Sequence, residues 1–169
     1  VAADGPILIK HLFTHTSGLS YGETIVGPSD VSKMYDELGT FSTTSSTPTI
    51  MSTIASIPLR AQPGTEFNYS MSTDVLGALV EKISGLQLGE YMEANIFKPL
   101  GMNDTGFEVP EDKLHRVAAL FTPNRVTVQL PSQTKNFVPF EQQNYCRMKP
   151  VAHAGGAGLC STVDDFAKF

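Results

Sequence analysis

The chain has 169 residues, enough to bury one substantial hydrophobic core, and its 41% apolar and 17% charged content is ordinary for a globular domain. Its net charge of −5, with lysines and arginines scattered along the sequence, argues against nucleic acid as a partner, because phosphate binding needs a basic stripe. Gly, Pro or charged residues interrupt every apolar run before it reaches the roughly 20 residues of a membrane helix, so we expect no membrane span.

The first third of the chain predicts two short helices separated by a long surface excursion. Apolar residues and two histidines recur at helical spacing from Ile7 to Thr14, and Ser17-Gly18 closes this helix. Residues 20–48 are rich in Gly, Ser and Thr and contain only a weak helical stretch near residues 30–38. A second apolar stripe then ends at Pro58; its members are Ile50, Met51, Ile54 and Ile57.

The clearest helix of the sequence lies between residues 72 and 85. Ser72 or Thr73 can cap its start, Asp74 falls in its first turn, and Gly85 marks its end. One face carries a continuous apolar stripe, made of Val75, Leu76, Leu79, Val80 and Ile83. A short extended run, residues 66–69, precedes this helix, and another helix from about residue 88 to 97 is stopped by Pro99.

The last third predicts less regular structure. We expect a helix over Pro110–Leu120 and, because Val, Thr and Gln alternate between prolines, short strands or an insertion over residues 121–151. A final helix begins at Ser161 or Thr162 and still continues at Phe169. Because so short a helix has few tertiary contacts to hold it, we expect the chain to be an interior piece of a longer protein.

The sequence leaves open whether its two cysteines pair. Cys146 and Cys160 lie far from any other Cys and from a His at short metal-ligand spacing. We interpret them as small core or loop residues rather than as a disulfide.

Several classes of enzyme can be set aside from the motifs. The chain has no G-x-S-x-G, H-E-x-x-H, P-loop or dinucleotide-binding fingerprint. One S-x-x-K is present, from Ser132 to Lys135, but Pro131 and Pro139 bracket it and its neighbours are poor helix formers. We therefore do not interpret Ser132 as a nucleophile.

Five segments, in order, resemble the central region of serine β-lactamase-like esterases, class C β-lactamases and D-alanyl-D-alanine peptidases. They are residues 9–19 (IKHLFTHTSGL), 63–70 (PGTEFNYS), 74–85 (DVLGALVEKISG), 99–102 (PLGM) and 155–162 (GGAGLCST). The resemblance weakens over about residues 22–47 and 121–150. It implies an α+β parent fold of the β-lactamase/transpeptidase type, of which residues 1–169 form a partial domain that is mainly α-helical with a few short strands.

The resemblance also implies where chemistry takes place. The family uses the Ser of an S-x-x-K as nucleophile, a Tyr of a later Y-x-N or Y-S-x loop as proton relay, and a final K-T-G or H-x-G strand; only the Tyr element is convincing here. Tyr69-Ser70-Met71 matches Y-S-x and directly precedes a predicted helix N-terminus, whose positive dipole favours a phenolate. We predict that Tyr69 is catalytic and that Ser70 and Met71 bind substrate, against the alternative that they only pack in the core.

Met71 distinguishes among the possible parents. It stands where the β-lactamases and peptidases of the family carry an Asn that binds the substrate's amide carbonyl, and a thioether cannot donate that hydrogen bond. The parent is therefore predicted to be an esterase or acyltransferase. The resemblance implies that the parent acts through an acyl-enzyme on a small ester, amide or β-lactam, without metal or cofactor. The alternatives are a β-lactamase or D-alanyl-D-alanine carboxypeptidase and a non-catalytic binding module.

The histidines receive structural interpretations. His11 and His15 are one helical turn apart but have no third metal ligand nearby, and the resemblance implies that His15, Thr16 and Ser17 hydrogen-bond a supporting loop. His153 fits H-x-G only formally, and we interpret it as a loop residue. Without its nucleophile and most of its sheet, the piece is predicted to be inactive alone and to self-associate through uncovered apolar faces.

Overall fold

The computed structural model describes residues 3–119, 121–123, 137–139, 145–147 and 149–169. This part of the chain is mostly helical, and its helices are α1 (Ile9–Phe13), α2 (Glu23–Val26), α3 (Asp30–Glu37), α4 (Thr47–Ser56), α5 (Ser72–Ser84), α6 (Leu88–Met92), α7 (Lys98–Leu100) and α8 (Val163–Phe166). Its strands, β1 (Phe121–Pro123) and β2 (Phe137–Pro139), pair antiparallel with Thr122 opposite Val138. The short strands predicted within residues 121–151 are thus confirmed at these two places, whereas Ser132 and Lys135 lie outside the described residues.

The hydrophobic core lies where α1, α4 and α5 meet. Its buried side chains come from α1, α3 and α4 and from residues between helices, with Val75 and Leu76 of α5 packed against them; they are Leu12, Leu19, Tyr21, Tyr35, Ile54, Ile57 and Met71. The apolar stripe predicted before Pro58 supplies two of them, while Ile50 and Met51 pack beside the cluster. Burial of apolar area here, at about 25 cal/mol per Å², is the main stabilising contribution to this part of the fold.

Helix α5 has the predicted length, but it begins differently. Met71 precedes its first turn and no side chain caps it; Ser72, which we expected as a cap, is fully buried and hydrogen-bonds other serines. Gly85 ends the helix in a left-handed conformation with φ of 75°, as a C-terminal glycine predicts. The predicted apolar face is only partly covered, since Ile83 is 76% exposed.

The helix predicted over residues 88–97 is confirmed in extent, but its winding changes partway along and Pro99 does not stop it. After α6 the backbone widens into a π-helical turn, Glu93–Phe97, in which the N–H of Lys98 donates to the carbonyl of Glu93. The hydrogen bond of a π-helix spans five residues, one more than in an α-helix, and Phe97 at the end of this turn is buried. Pro99 then lies within the first turn of α7 instead of ending the helix outright.

The helix predicted over Pro110–Leu120 is wrong: a 3₁₀ helix, Glu111–Arg116, takes its place. In a 3₁₀ helix residues i and i+3 share one face, and this aligns Lys113 and Arg116 with Asp104. The Lys113 ammonium lies 2.6 Å from one carboxylate oxygen of Asp104, and the Arg116 guanidinium lies 2.8 Å from the other. This double ion pair attaches the 3₁₀ helix to Asp104, in the turn after α7.

The cysteines form a disulfide, so our interpretation of them as unpaired residues is wrong. Cys146 belongs to a 3₁₀ turn, Tyr145–Arg147, and Cys160 pairs with Gly106 in an isolated antiparallel bridge. Their Cα atoms are 5.8 Å apart, within the usual range for a disulfide. The Gly106 bridge and the disulfide are tertiary contacts that spacing along the sequence cannot reveal.

Helix α8 begins as predicted. The Thr162 hydroxyl accepts a hydrogen bond from the Asp165 N–H at 3.2 Å, which confirms Thr162 as the N-cap. Buried Asp165 in turn accepts from the Asp104 N–H and the Thr105 hydroxyl. The end of the described chain is therefore fixed to the turn after α7.

Candidate active site

Tyr69 lies on an extended segment that runs beside the loop after α1. The Asn68 N–H donates to the carbonyl of His15 at 2.8 Å, and the Met71 N–H donates to the carbonyl of Ser20 at 3.2 Å. These bonds hold the segment against residues 15–20 on either side of Tyr69. The Tyr69 side chain is 51% exposed, directly before the N-terminus of α5.

Two other rings fix the sides of Tyr69. The ring centroid of His15 lies 5.1 Å from that of Tyr69, and the ring of Tyr21 lies 5.2 Å away on a tilted plane. His15 also meets Phe67 edge-on at 5.8 Å. Aromatic contacts at these separations are attractive beyond simple burial, so the Tyr69 ring is braced while one side remains open.

A buried hydroxyl–carboxyl pair lies behind this aromatic group. The Tyr21 hydroxyl donates to Asp74 Oδ2 at 3.2 Å, and the Gly156 N–H donates to Asp74 Oδ1 at the same distance. Burial raises the pKa of Asp74, opposed by these hydrogen bonds. Burial, with the nearby Asp74, also raises the pKa of Tyr21. The Tyr21 phenol is therefore protonated at any physiological pH and serves as a donor.

Ser70, predicted to bind substrate, has no solvent exposure. Its hydroxyl lies 3.3 Å from His15 Nδ1 and 2.8 Å from the Ser72 hydroxyl, and Ser72 lies 2.8 Å from the Ser17 hydroxyl. Ser70 thus lies next to Tyr69 along the chain, but its side chain points into the protein. As the resemblance implied, the loop of residues 15–17 hydrogen-bonds the segment before α5.

Met71 is 3% exposed and belongs to the core, yet it also lines a cavity of about 60 Å³. Apolar side chains make up most of the cavity wall, together with the carboxyl of Asp74; they include Phe41, Ile50, Met51 and Phe107. A cavity of this size exceeds the 10–15 Å³ or so that a single water needs. Met71 is placed both to pack the core and to contact a small apolar group.

The glycine-rich segment of residues 155–158 packs directly on α5. A Cβ on Gly155 would overlap the carbonyl oxygen of Thr73, and a Cβ on Gly77 would lie 3.1 Å from the Gly155 Cα. Only glycines allow this approach. It brings the Gly156 N–H to Asp74 and so connects the loop to the group behind Tyr69.

His153 lies in a loop, as predicted, and it makes specific contacts with Phe107 and Gly89. Its ring stacks on Phe107 at 4.4 Å with nearly parallel planes, and its Nδ1 accepts a hydrogen bond from the Gly89 N–H at 3.0 Å. Burial lowers the pKa of His153, although Glu81, Glu90 and Glu108 oppose the shift. An accepting Nδ1 and a lowered pKa both describe a neutral imidazole.

Sequence patterns identified Tyr69 but missed the residues that surround it. Tyr21 lies in a stretch without periodicity, and Asp74 looked like an ordinary first-turn acid of α5. Asp74 meets Gly156 across 82 residues, a contact without a local signal. Within the described ranges, no three His, Cys, Asp or Glu side chains gather as a metal site would require, and no helix is long and apolar enough to cross a membrane.

The chain is similar to known proteins in sequence and in structure. Esterase EstB from Burkholderia gladioli is 33% identical over 182 aligned positions, which cover 96% of this chain and 44% of EstB. The structure of EstCE1, a hydrolase with promiscuous acyltransferase activity, superimposes with a TM-score of 0.75 at 26% identity, over 96% of this chain and 44% of that one. Unliganded simvastatin synthase (LovD) from Aspergillus terreus gives 0.71 at 28% identity, over 98% and 38% of the two chains.

The chain spans less than half the length of each of these proteins. The fold it shares with them is that of the β-lactamase/transpeptidase group, represented here by its helices and very few strands. The profile described as Beta-lactamase matches residues 1–169. The helical core, the Y-S-x segment before α5 and this match over the whole chain together show that the chain belongs to the Beta-lactamase family.

Proposed function

We propose that residues 1–169 form the helical part of a larger α+β serine hydrolase, an esterase or acyltransferase, in which Tyr69 transfers protons. The observation that carries the proposal is the placement of Tyr69. Its ring is braced by His15 and Tyr21 at about 5 Å, while half of the side chain stays open to solvent. A general acid–base group needs both fixed geometry and access to the reacting atoms.

The proposed reaction has two steps. The hydroxyl of a serine outside the 169 residues attacks an ester carbonyl, the serine's proton passes through Tyr69 and a lysine to the departing alcohol, and an acyl-serine ester remains. Water then cleaves this ester to the acid, or an alcohol cleaves it to a new ester; in each case the serine recovers its proton. EstB is an esterase and EstCE1 a hydrolase with acyltransferase activity, which supports both outcomes for the second step.

Met71 supports an ester over an amide or β-lactam substrate. Its thioether offers no N–H donor for an amide carbonyl, and its neighbours in the 60 Å³ cavity are mainly apolar. A small acyl group suits such a wall. A β-lactamase or D-alanyl-D-alanine carboxypeptidase would need its amide-binding donor from another residue.

The decisive experiment uses the protein expressed from its complete coding sequence. We expect turnover of p-nitrophenyl acetate or butyrate with an initial burst, and one fluorophosphonate adduct that mass spectrometry maps to a serine outside residues 1–169. The 169 residues alone should give neither. An adduct on Ser132 would contradict our interpretation of that S-x-x-K, faster turnover of nitrocefin than of esters would favour a β-lactamase, and no adduct at all would favour a non-catalytic module.

We further propose that the 169 residues alone self-associate. Phe13, the last residue of α1, is 71% exposed, and Phe67, two residues before Tyr69, is 67% exposed; we propose that a sheet covers such apolar side chains in the larger fold. Sedimentation velocity should show a mass that rises with concentration, and Phe13→Lys should weaken the effect. A monodisperse monomer at all concentrations would contradict this proposal.

A further inference from the structure

His15 has a backbone conformation that its side chain disfavours. Its φ is 52°, and no other residue except glycine has a positive φ in the part of the chain that the structure describes. Histidine tolerates this region better than most residues, but a Cβ there still costs free energy. Such a conformation persists only where surrounding contacts hold it, and it commonly marks a functional position.

Three buried serine hydroxyls form a hydrogen-bonded row that ends at the His15 ring. Ser17, Ser72 and Ser70 have no solvent exposure, and their oxygens follow one another at 2.8 Å. One end of this row meets the Leu19 N–H, which lies 3.2 Å from the Ser17 oxygen. The other end meets His15 Nδ1, 3.3 Å from the Ser70 oxygen.

The row of hydroxyls has a direction. A backbone N–H can only donate, so Ser17 accepts from Leu19, and its own proton is satisfied by donating to Ser72. By the same reasoning Ser72 donates to Ser70, and Ser70 donates to His15 Nδ1. Reversing any bond would leave a buried hydroxyl proton without an acceptor among the hydrogen bonds of the described residues, which is costly.

The direction assigns the tautomer of His15. Since Nδ1 accepts, the imidazole proton resides on Nε2, and the ring orientation is fixed by the bond from Ser70. This ring lies 5.1 Å from the ring of Tyr69 and 5.8 Å from that of Phe67. The buried row thus fixes the orientation of a ring that contacts Tyr69.

We propose that His15 is a positioning residue for Tyr69, held in its Nε2–H tautomer by the directed row of Ser17, Ser72 and Ser70. The proposal rests on the proposed function, because positioning matters only if Tyr69 takes part in catalysis. It also accounts for the inward direction of Ser70, whose hydroxyl orients the neighbour of Tyr69 from inside the fold.

The test is a double-mutant cycle in the protein expressed from its complete coding sequence. His15→Asn removes the ring but tolerates the left-handed backbone. It should lower kcat for p-nitrophenyl butyrate by about 10- to 100-fold, the usual result of a small misplacement, while KM and Tm stay close to those of the wild type. In a Tyr69→Phe background, His15→Asn should cause no further loss, because both changes remove the same contribution.

A second pair of variants tests the row of serines, and it serves if His15→Asn fails to fold. Ser70→Ala removes the hydroxyl that donates to His15 Nδ1 and should lower kcat in the same direction. Ser20→Ala is the matched control, because Ser20 is equally buried and its hydroxyl bonds the carbonyl of Tyr21, outside the row. With histidine labelled by ¹⁵N, the wild type and Ser20→Ala should show His15 protonated on Nε2 only, whereas Ser70→Ala should show a mixture of tautomers.

The outcomes separate this inference from the proposed function. If Tyr69→Phe leaves kcat unchanged, the proposed function fails and the inference fails with it. If Tyr69→Phe lowers kcat but the His15→Asn loss multiplies with it, only the inference fails. A proton on Nδ1 of His15 in the wild type would overturn the assignment of the row directly.

Discussion

Two regions of the molecule are each stabilised by a different kind of interaction. The core region, residues 9–84, contains α1 to α5 and the apolar cluster around Ile54 and Met71. The bridged region, the described residues from 101 to 169, has few buried apolar side chains and relies on the Cys146–Cys160 disulfide, the ion pairs of Asp104 and the hydrogen bonds of Asp165. Burial stabilises the first region, whereas point contacts between distant residues stabilise the second.

The contrast indicates why the candidate chemistry lies where it does. Tyr69 is attached to the core region, whose close packing holds side chains in single conformations. The bridged region contributes mainly backbone: its Gly156 N–H reaches Asp74 behind the site. A change in the core region should therefore alter either turnover or global stability, while a change in the bridged region should have local effects.

The largest effect should come from Tyr69→Phe in the protein expressed from its complete coding sequence. Loss of a general acid–base group lowers turnover by about 10²–10⁴-fold, roughly 3–5 kcal/mol of barrier. The ring and its contacts with His15 and Tyr21 remain, so Tm should barely move. Steady-state kinetics and calorimetry provide the measurement, with Tyr91→Phe on α6 as control. Normal ester turnover, or loss of activity only through unfolding, would contradict a catalytic role for Tyr69.

Next in size should be Ile54→Ala, which creates a cavity at the centre of the core region. Ile54 is 3% exposed, and such truncations cost about 2–5 kcal/mol of unfolding free energy. Urea denaturation measures the loss. Ile83→Ala provides the control, since Ile83 is 76% exposed and should change stability by no more than about 0.5 kcal/mol. Equal losses in the two variants would remove the distinction between the core and the exposed end of α5.

Removal of the disulfide tests the bridged region. Cys146→Ala together with Cys160→Ala opens a loop with a sequence separation of 14, for which the chain-entropy model gives about 3 kcal/mol. Hydrogen exchange should show lost protection around Gly106 and Cys160, whose backbones pair, with protection of α5 retained. Uniform loss of protection across both regions would show that they unfold as one unit.

The smallest effect concerns pH and the contact between α6 and the loop that carries His153. Because the pKa of His153 is lowered in the folded chain, the unfolded chain binds its proton first as the pH falls below about 6.5, and stability decreases from there. His153→Gln should flatten this part of the stability–pH curve. Identical slopes in the wild type and His153→Gln would contradict the assignment.

The sequence predicted what is encoded locally. Helix α5 and its Gly85 terminus, the Thr162 cap and the apolar stripe before Pro58 follow from periodicity and capping, which depend on residues within a few positions of one another. Tyr69 was identified because a motif and a helix start coincide there. Its catalytic role, and substrate contacts by Ser70 and Met71, stay predictions.

What could not be predicted depends on contacts between distant residues. The ion pairs of the 3₁₀ helix with Asp104, the bridge between Gly106 and Cys160 and the disulfide all join residues of different elements. The π-helical turn after α6 has no sequence pattern of its own. Likewise, the left-handed conformation of His15 and the row of serines beneath it arise only when α1 and α5 come together.

The contact between Gly77 and Gly155 has a consequence for anyone who diversifies this chain by random or directed mutagenesis. Loops normally accept substitutions, and a library that spans residues 149–159 would seem a safe place to vary the molecule. Yet a methyl group at Gly155 would collide with the carbonyl oxygen of Thr73, and one at Gly77 would press on the Gly155 Cα. Variants selected for folding should keep glycine at both positions while the adjacent positions vary. One helix position and one loop position are therefore expected to be constrained together.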